Sequence, residues 1–257
     1  MREVKSAKRT IELLEFLAAR NNRPARLREL SEALGVPRSS LHALLRTLVQ
    51  SRWVRTDPSG TLYGIGIRAL LAGTSYLDTD PYLPMILPFL DELREQLDET
   101  FHFGRLDGTD VVYLATRESR QYLRPYSRVG RRLPAYTTAL GKALLADRTE
   151  GELAEHLPQA LAALTPHTLT GHDELRAELA RTLERGYAID EQENTLGVKC
   201  FAVPLRYNEP ATDAISGSIP LARMTPQVEA AMVEALRLVG DKVSRLVNPM
   251  TSGSIWG

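Results

Sequence analysis

The sequence predicts an α+β protein in two unequal parts, and three observations carry that prediction. Apolar residues in the first quarter recur at helical spacing. After residue 100 the spacing switches to period two in several stretches and back to helical in others, which is the pattern of strands and helices interspersed. Between the two parts, Pro81, Pro84 and Pro88 fall within eight residues, a density that interrupts a helix and marks a boundary. The length of 257 residues fits one large or two smaller domains. Hydrophobic residues make up 43% and charged residues 25%, ordinary values for an ordered globular chain.

The opening residues form a helix over 6–20, with Ala7, Ile11, Leu14 and Ala18 as its apolar stripe and Leu17 beside them. Asn21 to Pro24 break it. A second helix over 27–34 turns Leu30, Ala33 and Leu34 inward, and Gly35 stops it. Pro37 opens a third helix, since its missing N–H costs nothing in a first turn, and this helix runs to about Ser51. Leu41, Leu44, Leu45 and Leu48 line its buried face.

Two helices joined through the tight turn ALGVPRSS make a helix-turn-helix pattern. With the leucines buried, Arg38, Ser39, Ser40, His42, Ala43 and Arg46 point outward, offering donors to phosphates and base edges. Trp53 to Thr56 then alternate, Asp57-Pro58-Ser59-Gly60 is turn chemistry, and Thr61 to Tyr63 return, so a β-hairpin wing follows the third helix. Charge points the same way. The whole chain is neutral, but residues 1–60 hold 12 Lys and Arg against 6 Asp and Glu, a net of +6, which leaves −6 for the remainder. A basic front on an acidic body suits a polyanion such as duplex DNA. Arg20, Arg23, Arg26 and Arg28 also read as a plain solvated face, and His42 as a surface bystander.

Residues 66–78 carry Leu70, Leu71 and Leu77 at helical spacing, a linker helix that packs on its own domain or on a second copy. The proline cluster breaks the chain, and a new helix is expected from about Pro88 to Glu99. Phe101, Phe103 and Leu106 then lead through Asp107-Gly108 to Val111–Leu114, a hairpin. Helices are expected over 139–146, 150–157 and 173–185, strands over 187–190, 200–205 and 214–219, and a final helix from Thr225-Pro226 to about Val247. The tail after Pro249 reads as disordered.

Several chemistries are excluded or weakened. One cysteine, Cys200, rules out an intramolecular disulfide and a cysteine-rich zinc module. No run of ~18 apolar residues exists to span a membrane, and MREVKSAKRT is too polar for a secretory leader, so a reducing cytoplasm is the expected compartment. The stretch Ala139 to Ala143 contains Gly141-Lys142 but fails as a phosphate loop, because position 136 is Tyr and position 143 is Ala. Cys200 sits in an apolar strand pattern with no base nearby, as a structural thiol does. His167 and His172 lack carboxylate companions at metal spacing, and Asp190, Glu191 and Glu193 read as a solvated turn. No catalytic residue, metal or cofactor is expected. Three classes remain: a DNA-reading regulator with a sensing domain, an α+β enzyme acting on small molecules with an accessory helical interaction domain, and an adaptor using the winged domain as a contact surface.

Four stretches together select among them. The winged helix-turn-helix, GRRLPAYTTALGKALLA at 130–146, RGYAIDEQENTLGVKCFAVPL at 185–205 and AISGSIPLAR at 214–223 resemble the IclR family of bacterial transcriptional regulators. The resemblance spans residues 4–248. It implies a winged DNA-binding domain (1–65), a linker helix (66–80), a mixed α/β effector-binding domain of GAF or profilin-like type (81–249) and a short tail (250–257). It also implies a repressor of a catabolic operon more than an activator, binding double-stranded operator DNA as a dimer or dimer of dimers and controlled by a small carboxylate. The effector residues it implies are the backbone amides of Ala139 and Leu140, the side chains of Asp190 and Cys200, and the hydroxyls of Ser216 and Ser218. Val198, Ala202, Leu133 and Tyr136 would line the apolar wall, with the Leu140 side chain narrowing the pocket. Unpaired amides at a helix start suit a carboxylate, and serines two apart on a strand share a face. Asp190 would repel an acid if ionised, so it should accept from a hydroxyl or carry a proton.

Overall fold

The computed structural model describes residues 4–20 and 23–247, and the chain divides into two compact units that meet between Asp80 and Pro81. In the first unit, helices α1 (Lys5–Ala19), α2 (Leu27–Leu34) and α3 (Arg38–Gln50) surround a leucine core. The short strand β1 (Ala25–Arg26) precedes α2, and the hairpin β2 (Val54–Thr56) and β3 (Leu62–Ile65) follows α3, giving a three-stranded sheet in the order β1-β3-β2. The wing is held at its tip by Asp57, whose carboxylate accepts from the Thr61 and Leu62 amides at 2.8 Å and from the Ser59 hydroxyl. These bonds keep its carboxyl well below the usual range. Helix α4 (Ile67–Thr79) completes the unit.

Two details depart from the sequence expectation. The buried stripe of α1 is Leu13 and Leu17, while Ala7, Ile11 and Ala18 are exposed. Leu13 and Leu17 are spaced by four, as is the expected stripe, and packing against α2 and β3 chooses between the two faces. Ala33 of α2 is likewise exposed, since Leu30 alone is fully buried on that helix.

The second unit begins with α5 (Leu83–Leu97), not with a helix at Pro88. Pro84 lies in its first turn, where no amide is needed, and Pro88 sits inside it. One lost hydrogen bond is outweighed by burying Leu83, Ile86, Leu90 and Leu93 along one face. A six-stranded antiparallel sheet follows, formed by β4 (Thr100–Asp107), β5 (Asp110–Arg117), β6 (Arg132–Pro134), β7 (Ala188–Glu191), β8 (Val198–Leu205) and β9 (Asp213–Pro220), in the order β6-β5-β4-β9-β8-β7. Strand β6, absent from the sequence expectation, is only three residues long. The apparent period two in β4 dissolves: Thr100 to Gly104 are all buried, because both faces of this central strand are covered.

Three helices, α6 (Ala139–Leu145), α7 (Glu150–His156) and α8 (His172–Arg185), belong to the connection between β6 and β7, and α9 (Pro226–Val247) ends the described chain. Helices α5 and α9 cover one sheet face, where Met232 lies over Gly217 and Val203 over Gly240. Helix α6 covers the other, with Leu140 against Gly104. A Cβ on Gly141 would stand 2.0 Å from the Ala135 carbonyl oxygen, so only glycine lets α6 lie this close to the 3-10 turn Ala135–Thr137. The expected tail at 250–257 lies outside the described residues. No helix among the described residues is long and apolar enough to cross a membrane.

Candidate functional site

Two surfaces in the two units gather the sequence-predicted residues. On the first, the buried leucines of α3 fix which side chains face out. Leu41, Leu45 and Leu48 are buried, so Arg38, Ser39, Ser40, His42 and Arg46 are all exposed on the opposite side. Pro37 precedes the helix without a side-chain cap, and its first turn holds no acidic residue. Open amides, the positive end of the helix dipole and Arg38 therefore coincide, which favours a phosphate. Other arginines of this unit are engaged: Arg20 meets Glu29 at 3.2 Å and Arg28 meets Glu32 at 3.5 Å. Arg38 and Arg46 meet no carboxylate among the described residues. Arg52 and Arg55, exposed beside the wing, extend the basic face beyond the residues expected from sequence.

The second surface is the sheet face beneath α6. Register across the strands aligns Asp190 of β7 with Cys200 of β8, Cys200 with Ser218 of β9, and Ser218 with Thr100 of β4. Two residues along, Ala202, Ser216, His102 and Thr116 form a second row on the same face. The predicted Asp190, Cys200, Ser216 and Ser218 are thus adjacent, although they come from three strands. Cys200 Sγ lies 3.2 Å from Ser218 Oγ. Asp190 is only 4% exposed and Ser216 2%. Ala202 is buried beside them, and Val198 and Leu133 are partly buried. Tyr136 is tied away, its hydroxyl donating to the Ala162 carbonyl at 2.8 Å. The Leu140 side chain is core, packed on Gly104. Thr138 caps α6 by accepting from Gly141 N at 2.9 Å, and no acceptor among the described residues meets the Ala139 and Leu140 amides.

The acidic cluster 190–193 is not the solvated turn that sequence suggested. Asp190 Oδ1 accepts from the Glu193 amide at 2.8 Å and the Asn194 amide at 3.3 Å. Glu193 is buried and pairs with the equally buried Lys142 at 2.5 Å. Asn194 donates to Thr137 at 2.8 Å, tying this loop to the turn before α6. Burial pushes the Asp190 carboxyl up to about 7, with Glu193 adding to the rise and Lys142 opposing it. Asp190 is therefore poised to carry a proton near neutrality, and an anion can approach it. The Cys200 thiol is raised further by burial and by Asp190, so it stays protonated.

His102 and Tyr113 also belong to this face and were missed from sequence. Their rings meet edge-on at 5.0 Å, and His102 Nδ1 lies 3.1 Å from Thr116 Oγ1. Burial lowers His102 to about 3 and raises the Tyr113 phenol, so both are neutral. The Ser216 and Tyr113 hydroxyls have no hydrogen-bond partner among the described residues, although both residues are buried. Only pairing across strands places them here, so no spacing signal in the sequence could reveal them. Neutral donors converge with a protonatable carboxyl on one largely buried sheet face. That arrangement can hold a small acid. Cys200 stands beside Asp190, contrary to the sequence expectation of no nearby base, but burial and that carboxyl keep the thiol protonated rather than activating it. Among the described residues no group of three His, Cys, Asp or Glu side chains could hold a metal ion.

The chain matches two family descriptions: "IclR helix-turn-helix domain" over residues 6–58 and "Bacterial transcriptional regulator IclR C-terminal" over residues 74–245. It is 32% identical over 249 residues to the HTH-type transcriptional regulator XynR of Escherichia coli, covering 94% of this chain and 96% of that one. It is 33% identical over 228 residues to the transcriptional repressor IclR of the same organism, covering 87% and 82%. Among solved structures, an IclR homolog from Microbacterium hydrocarbonoxydans complexed with 4-hydroxybenzoate shares the fold, with a TM-score of 0.75 at 21% identity, covering 95% of this chain and 99% of that one.

Proposed function

Because this chain belongs to the IclR family of bacterial transcriptional regulators, DNA-binding proteins and not enzymes, we propose that it is a cytoplasmic repressor of a catabolic operon whose hold on its operator changes when a small carboxylate occupies the sheet face beneath α6. The observation that carries this reading is the convergence of Asp190, Cys200, Ser216 and Ser218 from three strands onto one buried polar face. Ser216 and Ser218 donate to the carboxylate together with the Ala139 and Leu140 amides. Protonated Asp190 avoids repelling it, and Cys200 forms part of the wall. The 4-hydroxybenzoate bound by a protein of the same fold supports a carboxylate as the ligand class.

At the other end of the chain, Arg38 and Arg46 grip phosphates while Ser39, Ser40 and His42 face base edges. Two readers set ~34–36 Å apart fit successive major grooves, so the functional unit is a dimer or a dimer of dimers. Ile67, Leu70 and Leu71 of α4, each more than half exposed, offer an apolar face for that pairing. The effector acts by binding one arrangement of the dimer better than the other, and its leverage is limited to that difference.

The test is operator affinity on promoter DNA from the protein's own locus, with and without carboxylates, for the wild type and for Ser216→Ala with Ser218→Ala. The double variant should bind DNA normally and lose its response to acid. A wild type that binds an acid with no change in operator affinity would refute the switch.

A further inference from the structure

Arg131 ends the β5–β6 connection, and no carboxylate among the described residues answers its charge, in contrast to three arginines in and beside that connection. Arg117 pairs with Asp91 at 2.7 Å, Arg124 with Glu118 at 3.0 Å and Arg132 with Asp110 at 2.6 Å. Arg131 is only half-exposed, and its side chain donates from Nη1 to the Tyr126 carbonyl at 3.0 Å. No carboxylate among the described residues meets it. A partly desolvated guanidinium without a counter-charge is costly, and its planar fork matches the geometry of a carboxylate.

Its position is fixed by backbone geometry. Arg131 N donates to the Arg128 carbonyl at 3.1 Å across a tight turn in which Gly130 takes φ +77°. Gly130 N then donates to the Tyr113 carbonyl at 2.8 Å, and Tyr113 N donates to the Arg131 carbonyl at 2.9 Å. Two residues thus oppose one, a glycine bulge of the kind that re-aims a side chain next to a functional site. The bulge seats Arg131 opposite Tyr113. Tyr113 touches His102, and His102 stands in register with Ser216. A continuous line of groups therefore runs from Arg131 to the assigned carboxylate donors. The Arg131 charge is felt at both intermediate rings, where it favours neutral His102 and opposes the rise in Tyr113.

We infer that Arg131 selects a second negative charge on the effector, so that this pocket prefers a dicarboxylate to the matched monocarboxylate. One carboxylate sits at Ser216 and Ser218, and the other reaches Arg131, with the Tyr113 hydroxyl donating to it. The inference rests on the effector site proposed above, and its test separates the two. Calorimetric titration of the full chain compares succinate with butyrate, glutarate with valerate, and terephthalate with benzoate. The wild type should bind the diacid of at least one pair about tenfold or more tightly than its partner, the gain expected of one charge-assisted contact. Arg131→Gln should erase that preference, and Arg131→Lys, which keeps the charge without the fork, should retain part of it.

Equal affinities within every pair, or a preference that survives Arg131→Gln, would overturn the inference and leave the effector site standing. So would an Arg131→Gln variant that weakens both members of each pair alike, the mark of a structural role. If no acid of either kind binds the wild type, the effector-site reading fails and the inference falls with it.

Discussion

The outer face of α3 and the sheet face beneath α6 use similar side chains under opposite conditions. On α3 the hydroxyls, imidazole and guanidinium groups stand in water, each free of its neighbours, and their worth is realised only when a polyanion arrives. Beneath α6 the same chemistry is buried, so every group depends on the others. Lys142 stabilises Glu193, Asp190 caps the loop that carries Glu193, and burial is the largest influence that moves Asp190 to about 7 and His102 to about 3. Exposed groups contribute separately and weakly to folding, whereas buried ones contribute strongly and as a set.

Four substitutions break or sharpen that contrast. The largest effect is expected from Gly141→Ala. The new Cβ would stand 2.0 Å from a backbone oxygen that cannot move aside, so the loss should exceed the ~4 kcal/mol that marks an exceptional single change. Thermal unfolding of the full chain should show the second unit melting early, and an unshifted transition would mean that α6 can retreat from the turn.

Next comes Lys142→Met, which strips the cation from a buried carboxylate. Breaking such a pair costs ~3–5 kcal/mol, readable by urea denaturation. Adding Glu193→Gln should recover much of the loss, because the uncompensated charge disappears with it. A single variant as stable as the wild type would show that water already reaches the pair.

A smaller, pH-dependent effect is expected for Asp190→Asn. The folded carboxyl holds its proton to about 7, whereas an unfolded one releases it near the ordinary 3.8. The unfolded state therefore binds fewer protons across that window, and Asp190 costs stability progressively as pH rises from about 4 to 7. Asparagine keeps an oxygen for the two amides and carries no charge. The variant should match the wild type near pH 4 and exceed it by ~1–3 kcal/mol at pH 8. His102 acts in the opposite sense, adding stability as pH rises from about 3 through 6.5, but it is common to both proteins and drops out of the difference. A difference that is flat with pH would contradict the raised carboxyl.

The smallest stability effect is expected on α3. Arg38→Ala or Arg46→Ala should change folding by less than ~0.5 kcal/mol. Each should lower the slope of log affinity against log salt for DNA by about one. A slope that stays put would mark the residue as a spectator.

The contrast also explains what could be read in advance. Helix α2 falls on the residues expected, and α3 within one residue at each end, because a helix positions each outward side chain through its near neighbours. For the same reason Arg38, Ser39, Ser40, His42 and Arg46 appear on the expected face. Two apolar stripes compete along α1, and only packing against α2 and β3 favours Leu13 and Leu17 over Ala7 and Ile11. The true start of α5 is hidden in the sequence, because proline chemistry is visible locally and the burial that overrides Pro88 is not. In the second unit Asp190, Cys200, Ser216 and Ser218 were reached through the resemblance to a family, and their mutual distances were not. His102, Tyr113 and the Lys142–Glu193 pair were invisible.

By itself the sequence determined the order of the helices and the longer strands, the basic front on an acidic body, and the outward face of α3, since all of these follow from spacing and charge counted along the chain. Only the tertiary structure decided which polar residues meet beneath α6. Strand register brings together residues about a hundred positions apart, and burial then sets their protonation. Neither effect has a local signature, because each depends on what lies across the sheet.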